Sequence, residues 1–210
     1  MQILIGTTNP SKVTYFEELL AGARVSFVTL RDLGITEEPQ EVGGSPLENA
    51  MIKVRFYGRY AQPVICADSG LYLDALALDD PRQPGLHVRR PRGVRLDDEQ
   101  MIAHYAGLAR ELGGCAQAYY LDGLAVQVSG KVWGLEATRE EARARMFTLI
   151  DTPCEARRAG WPLDSISLDR RGVPFLSPGS ERTPQQDAAY RERLAAFLRE
   201  KLRLPDDSPV

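Results

Sequence analysis

A short apolar segment that runs straight into a polar turn and a helix opens the chain, and it constrains the fold more than any other feature. Residues 1–5 (MQILI) are typical of a buried strand, and Val13, Phe16 and Leu19 recur at helical spacing. The turn between them, TTNPSK, carries hydroxyl, amide and ammonium groups but lacks the glycines of a Walker loop. Ligands of open α/β sheets bind at such strand ends, where a helix N-terminus favours anions. The pattern predicts an α/β fold and leaves open whether the turn is only a helix cap or part of a ligand site.

Composition narrows the class of protein. The chain has 210 residues, 43% of them hydrophobic and 26% charged, with a net charge of -3. These values are ordinary for a soluble globular protein, and they exclude a general basic field for nucleic acid. The apolar runs are too short to span a membrane. Cys66, Cys115 and Cys154 form neither a zinc pattern nor a disulfide framework, so we expect buried thiols in a cytoplasmic protein with no membrane or nucleic-acid partner.

Helix and strand signals alternate along the chain. Helix N-terminal signals, each a capping residue with Glu or Gln three positions later, begin at four places: Ser45, Asp97, Thr138 and Thr183. Further strands are predicted over residues 25–30 and 63–67, a meander over residues 118–134 turning at Asp122-Gly123 and Ser129-Gly130, and a helix over residues 138–150. The mixed order predicts a single α/β domain over residues 1–210, made of two lobes with a cleft between them and a disordered tail at about 205–210.

Charged side chains accompany the first turn. Asp68 directly follows the predicted strand 63–67, Glu41 lies in a polar loop, and Lys53 lies in the helix that Ser45 begins. Mg²⁺ prefers oxygen ligands, often one or two carboxylates together with substrate phosphates, and Lys12 and Lys53 would add positive charge. The combination favours a metal–polyphosphate site, although Lys53 or Glu41 taken alone is more typical of a solvent-facing residue and Asp68 alone favours neither interpretation.

Four segments match one family in order and spacing: TTNPSK at 7–12, EVGG at 41–44, LENAMIK at 47–53 and ADSGL at 67–71. They resemble the inosine triphosphate pyrophosphatase family, also called non-canonical purine NTP pyrophosphatases. Pro84-Gly85 continues the match, and the resemblance is thin after it. The resemblance implies an elongated, mixed, twisted β-sheet flanked by helices, two lobes with a nucleotide cleft between them, and a homodimer.

The resemblance also implies Mg²⁺-dependent hydrolysis of a nucleoside triphosphate to the monophosphate and pyrophosphate. By position, Asp68 resembles the catalytic aspartate and a metal ligand, and Glu41 resembles a second metal ligand. Lys12 and Lys53 resemble catalytic, phosphate-binding lysines. The other positions that resemble the triphosphate site are Thr7, Thr8, Asn9 and Ser69.

The chain departs from the family pattern where the base is bound. Trp161 and Asp164 stand in the segment that resembles the base pocket, but Leu163 replaces its second aromatic residue. Of a Ser-His-Arg motif only Arg191 remains, and Ala67 replaces the first of two aspartates before Ser-Gly. The resemblance therefore implies an intact phosphate end and an altered base end.

Several interpretations of function stay open. The default substrates are inosine and xanthosine triphosphates, with a modified nucleotide as an alternative. A catalytically weakened homologue that only binds nucleotide is a second class. The arginine-rich loop 82–95 is either solvated or a lid over phosphate, and it lacks the aromatic residues of a nucleic-acid platform.

Overall fold

The chain forms a mixed α/β structure, described over residues 1–181 and 185–205 in a computed structural model. The strands are β1 (Gln2–Ile5), β2 (Ser26–Thr29), β3 (Val64–Leu73), β4 (Cys115–Val128), β5 (Lys131–Glu136), β6 (Phe147–Ile150) and β7 (Ser167–Leu168). The helices are α1 (Pro10–Leu19), α2 (Pro46–Tyr57), α3 (Asp98–Glu111), α4 (Arg139–Ala144) and α5 (Gln185–Leu202). Short 3₁₀ helices cover Pro91–Gly93 and Pro162–Ile166.

Within the described residues, seven strands form one sheet in the order β2-β1-β3-β4-β6-β7, with β5 also paired to β4. β1 runs parallel to β2 and β3, whereas β4 runs antiparallel to β5 and β6, and β6 to β7. The sheet is therefore mixed, which confirms the predicted fold class.

The chain divides into two compact units. The first comprises Met1–Ser69, Asp122–Ala137 and the chain from Ala189 onward, and the second comprises Gly70–Leu121 and Thr138–Ala188. The expectation of one domain with two lobes stays a prediction, and the expected tail lies mostly outside the described residues.

Each unit has its own apolar core. In the first, α2 packs against the sheet through Val54 and Tyr57, which are buried beside Leu4 and Val64. In the second, α3 contributes Tyr105, whose ring is fully buried and whose hydroxyl donates to the Val88 carbonyl at 2.8 Å. Burial of this apolar surface is the main force that stabilises each unit.

Several predicted helix ends are confirmed by hydrogen bonds. Ser45 Oγ accepts from the Glu48 amide at the start of α2, but the Glu48 carboxylate accepts from Gly44 and so does not complete the expected capping box. Complete boxes begin α3 at Asp97 and α4 at Thr138. The predicted cap at Thr183 lies outside the described residues.

Three predicted boundaries are wrong. β3 continues through Asp68, so this carboxylate lies within a strand and not just past one. β4 runs unbroken through Asp122-Gly123, where a turn was expected. The helix that begins after Thr138 ends at Ala144, and Phe147–Ile150 form a strand.

Gly123 explains why the turn prediction failed. A glycine is needed here because α2 approaches β4 closely. A Cβ at residue 123 would lie 2.2 Å from the Leu47 amide nitrogen at the start of α2. A real Cβ does not approach backbone so closely, so α2 would have to move away from the sheet. The Asp-Gly pair thus marks helix–sheet contact and not a hairpin.

We therefore expect Gly123→Ala to destabilise the protein by about 1–3 kcal/mol through overpacking. Gly107 is the matched control, because it lies within α3 and no described atom comes within 4 Å of an added Cβ. Gly107→Ala should stabilise the protein by about 0.5–1 kcal/mol through helix propensity. Urea unfolding of both variants measures the difference, and equal stabilities would contradict the contact.

Candidate functional site

Asp68 is a buried carboxylate in the middle of β3. Its side chain is held on both oxygens by α2, since Lys53 Nζ lies 2.8 Å from Oδ1 and Asn49 Nδ2 donates to Oδ2 at 3.0 Å. Asn49 and Lys53 are four residues apart and so lie on one face of the helix. The sequence of α2 therefore fixes the orientation of this carboxylate.

Lys53 joins two of the predicted metal ligands. Its Nζ lies 2.7 Å from Glu41 Oε1 as well as 2.8 Å from Asp68 Oδ1. Burial lowers the pKa of Lys53, but the Asp68 and Glu41 carboxylates outweigh burial, so the pKa lies above its ordinary value. The Glu41 side chain is 43% exposed against 12% for Asp68, so the cluster is open to solvent at the Glu41 end.

Lys12 brings a second ammonium group to the cluster from α1. Its Nζ donates to the Ala67 carbonyl at 3.1 Å. Burial and then the nearby Lys53 lower the pKa of Lys12, against the opposing effect of Asp68, Asp122 and Glu41. Two ammonium groups and several carboxylates therefore share one partly buried region of the first unit.

The first turn is held by its own side chains. Thr7 Oγ1 accepts from the Asn9 amide at 3.1 Å, and Asn9 Oδ1 accepts from the Ser11 amide at 3.0 Å and caps α1. Thr8 is exposed, and Ser69 is half-buried beside Asp68 in β3. The cap interpretation of the turn is therefore confirmed, and its position beside Lys12 keeps the ligand interpretation open as well.

Sequence reasoning missed two residues of this region. Asn49 is 2% exposed and its Oδ1 accepts from the Gly43 amide at 2.9 Å, so it ties the loop that carries Glu41 to Asp68. The signal in the sequence is a polar Asn among the apolar positions of this helix, next to Ala50 and one turn before Lys53. Asp122 was assigned to a turn, yet it lies in β4 and acts electrostatically on Lys12.

The residues predicted for the base pocket belong to different units. Trp161 and Asp164 lie in the second unit, where Arg158 Nη1 is 3.8 Å from Asp164 Oδ2 and the Arg158 guanidinium lies 5.8 Å from the Trp161 ring centroid. Arg191 lies in the first unit, 3.4 Å from Glu18 and over the Tyr15 ring. Their roles in base binding stay predictions.

Two smaller expectations have mixed outcomes. Cys66 is buried, and burial raises the pKa of its thiol to about 12, whereas Cys115 is exposed and so was wrongly expected to be buried.

In the arginine-rich loop, Arg82 pairs with Asp80 and Arg89 with Asp98. These pairs hold two of the arginines within the second unit.

The sequence comparisons establish the family. The profile of the Ham1 family matches residues 3–145, and the chain belongs to this family. It is 32% identical over 135 residues to a dITP/XTP pyrophosphatase of Legionella pneumophila, covering 62% of this chain and 64% of that protein. It is 33% identical over 187 residues to a dITP/XTP pyrophosphatase of Rhodopseudomonas palustris, covering 87% and 80%. The resemblance seen in the sequence is thereby confirmed.

Solved structures share the fold. The Staphylococcus aureus Ham1 protein superposes with a TM-score of 0.68 at 20% identity, covering 96% of this chain and 100% of that one. A HAM1 protein from Coxiella burnetii gives 0.63 at 21% identity, covering 95% and 99%. In the part of the chain that the structure describes, no helix has the length and apolar character needed to cross a membrane.

The environment of Asp164 gives a pH prediction. Burial raises the pKa of this carboxyl to about 7, although Arg158 opposes the shift. Since the folded state binds this proton more tightly than the unfolded chain, the stability that this carboxyl contributes is lost as pH rises from about 4 to about 7. Asp164→Asn lacks this titration. As pH rises from about 4 to about 7, we expect the thermal midpoint of Asp164→Asn to rise relative to that of wild type. Parallel pH profiles of the two midpoints would contradict the assignment.

Proposed function

We propose that the protein hydrolyses nucleoside triphosphates to the monophosphate and pyrophosphate in a Mg²⁺-dependent reaction. The observation that carries the proposal is the cluster in which Lys53 bridges Glu41 and Asp68 beside Lys12. The names of the curated relatives support it, although the chain spans only 64% and 65% of the length of the first two that it matches. Inosine and xanthosine triphosphates, or their deoxy forms, are the proposed substrates.

The donor set fits a magnesium ion that arrives with its substrate. Glu41 Oε1 and Asp68 Oδ1 already face one cation, the Lys53 ammonium, and carboxylate oxygens are ligands that Mg²⁺ prefers. Among the described residues no group of three or more His, Cys, Asp or Glu side chains could hold a metal. Glu41 and Asp68 would therefore hold the ion together with substrate phosphates. When bound, the ion would neutralise phosphate charge and polarise the phosphorus centre.

The side chains of the cluster have separate proposed tasks. Lys12 and Lys53 neutralise the charge that accumulates on the phosphate oxygens during attack by water. Asp68 orients that water through its carboxylate, and Asn49 holds the carboxylate in one orientation. Because the Asp68 carboxylate is oriented by Asn49 before substrate binds, it needs little reorientation in the transition state.

The remaining assignments extend the same proposal. Thr7, Thr8, Asn9 and Ser69 are proposed to line the triphosphate site. Trp161, Asp164 and Arg191 are proposed for the nucleobase, with a specificity that differs from relatives because donors of the pattern are missing. A homodimer and a cytoplasmic location are proposed on the strength of the resemblance alone.

A panel of nucleoside triphosphates assayed for released pyrophosphate tests the reaction. Inosine and xanthosine triphosphates with Mg²⁺ should release pyrophosphate and monophosphate in equal amounts. Release of single phosphate would exclude the proposed bond cleavage. Thermal stabilisation by a nucleotide without turnover would instead support the alternative of a weakened nucleotide-binding homologue.

Asp68→Asn tests the role of the carboxylate. We expect kcat to fall by about 10²–10⁴-fold, because an amide neither accepts a proton nor binds Mg²⁺ well. Asp79→Asn is the matched control, since Asp79 is exposed and belongs to the second unit. Circular dichroism should show that both variants fold, and an unchanged rate in Asp68→Asn would refute the assignment.

A further inference from the structure

Lys53 lies between Glu41 and Asp68, the two carboxylates that are proposed to hold the metal ion. Its ammonium is within 2.8 Å of one oxygen from each of the two carboxylates proposed as ligands. Its side chain is only 14% exposed, so the contact is partly shielded from water and salt. The lysine therefore already supplies, in the free protein, the positive charge that both carboxylates require.

This arrangement has a cost for metal binding. A divalent cation that approaches Glu41 and Asp68 meets a positive charge at hydrogen-bond distance from both, and like charges so close repel strongly when water is partly excluded. The ion would have to displace Lys53 from at least one carboxylate. Lys12 adds a further positive charge beside Lys53.

A triphosphate changes this balance. Its oxygens offer Lys53 an alternative acceptor, and they supply the ligands that two carboxylates alone cannot provide. Phosphate and metal would then be taken up together, since each removes the obstacle to the other.

We propose that Lys53 is a cationic placeholder that holds Glu41 and Asp68 together in the free protein and keeps their affinity for divalent metal low until a triphosphate binds. The inference rests on the proposed function for the identity of the anion. It goes beyond that function by assigning the order of events to one side chain. The protein then binds the metal as a complex with the nucleotide, and it binds the free metal ion weakly.

Lys12 provides the matched control. It is a lysine of the same cluster, but its ammonium bonds to the Ala67 carbonyl and not between the carboxylates. Loss of either lysine removes one positive charge from the region. Only loss of Lys53 vacates the position between Glu41 and Asp68, so the two variants separate placeholding from a general charge effect.

The experiment is a titration of the free protein with Mn²⁺, without nucleotide, followed by the electron paramagnetic resonance signal of free Mn²⁺. Wild type should bind weakly, and Lys53→Met should bind about tenfold or more tightly, as expected for removal of an adjacent like charge. Lys12→Met should change the affinity by no more than about threefold, because its charge lies farther from the carboxylate oxygens. Adding Glu41→Gln to Lys53→Met should abolish the gain.

Two results would overturn the proposal: equal Mn²⁺ affinity in wild type and Lys53→Met, or an equal gain in Lys12→Met. If Lys53→Met fails to fold, Lys53→Gln carries the same comparison, because it keeps a hydrogen-bond donor for Asp68 while losing the charge. The titration needs no turnover. A gain in Mn²⁺ affinity without pyrophosphate release from any nucleotide would therefore refute the proposed function and leave the placeholder intact.

Discussion

The ion pairs of Lys53 with Asp68 and Glu41 are the contacts on which the candidate site depends. A lysine and a carboxylate with so little exposure are each costly to remove from water, and they are tolerated because they are paired and further hydrogen-bonded. Asn49 completes the arrangement by donating to Asp68 and accepting from Gly43. Removal of one partner would leave a buried charge without compensation, so the cluster is held together as a unit.

The helices and strands of the first unit explain how the charged cluster is positioned. α2 carries both Asn49 and Lys53, and the approach of its first turn to Gly123 sets its distance from the sheet. β3 presents Asp68 from within a strand, whereas the sequence analysis placed it just past the end of one. Lys12, Lys53 and Asp68 are therefore carried by helices and a strand, whereas Glu41 comes from a loop.

Much of this arrangement was predictable, for reasons that lie in particular residues. Caps such as Ser45 and Asp97 act through neighbouring amides, so local sequence reveals them. The grouping of Lys12, Glu41, Lys53 and Asp68 was implied by the resemblance of their four segments to one family. Gly123 and Asp122 were misassigned because an Asp-Gly pair has the same local preference in a turn and beneath a packed helix, and only the tertiary contact with Leu47 distinguishes them. Asn49 was overlooked because its partners are 6 and 19 residues away.

The first unit is assembled from three separate stretches of chain, and this has a consequence for biosynthesis. Lys12 meets Ala67 across 55 residues, and the Leu47 amide meets the Glu136 carboxylate across 89. Contacts this distant in sequence form slowly, because a long loop must close before they repay its entropy. A nascent chain that has emerged only as far as β3 holds every charged residue of the cluster except Asp122, together with the β1 and β3 residues against which Val54 and Tyr57 pack. The contacts of the first turn of α2 with Gly123 and Glu136 can form only after β4 and β5 have been synthesised, so the seating of this helix is completed late.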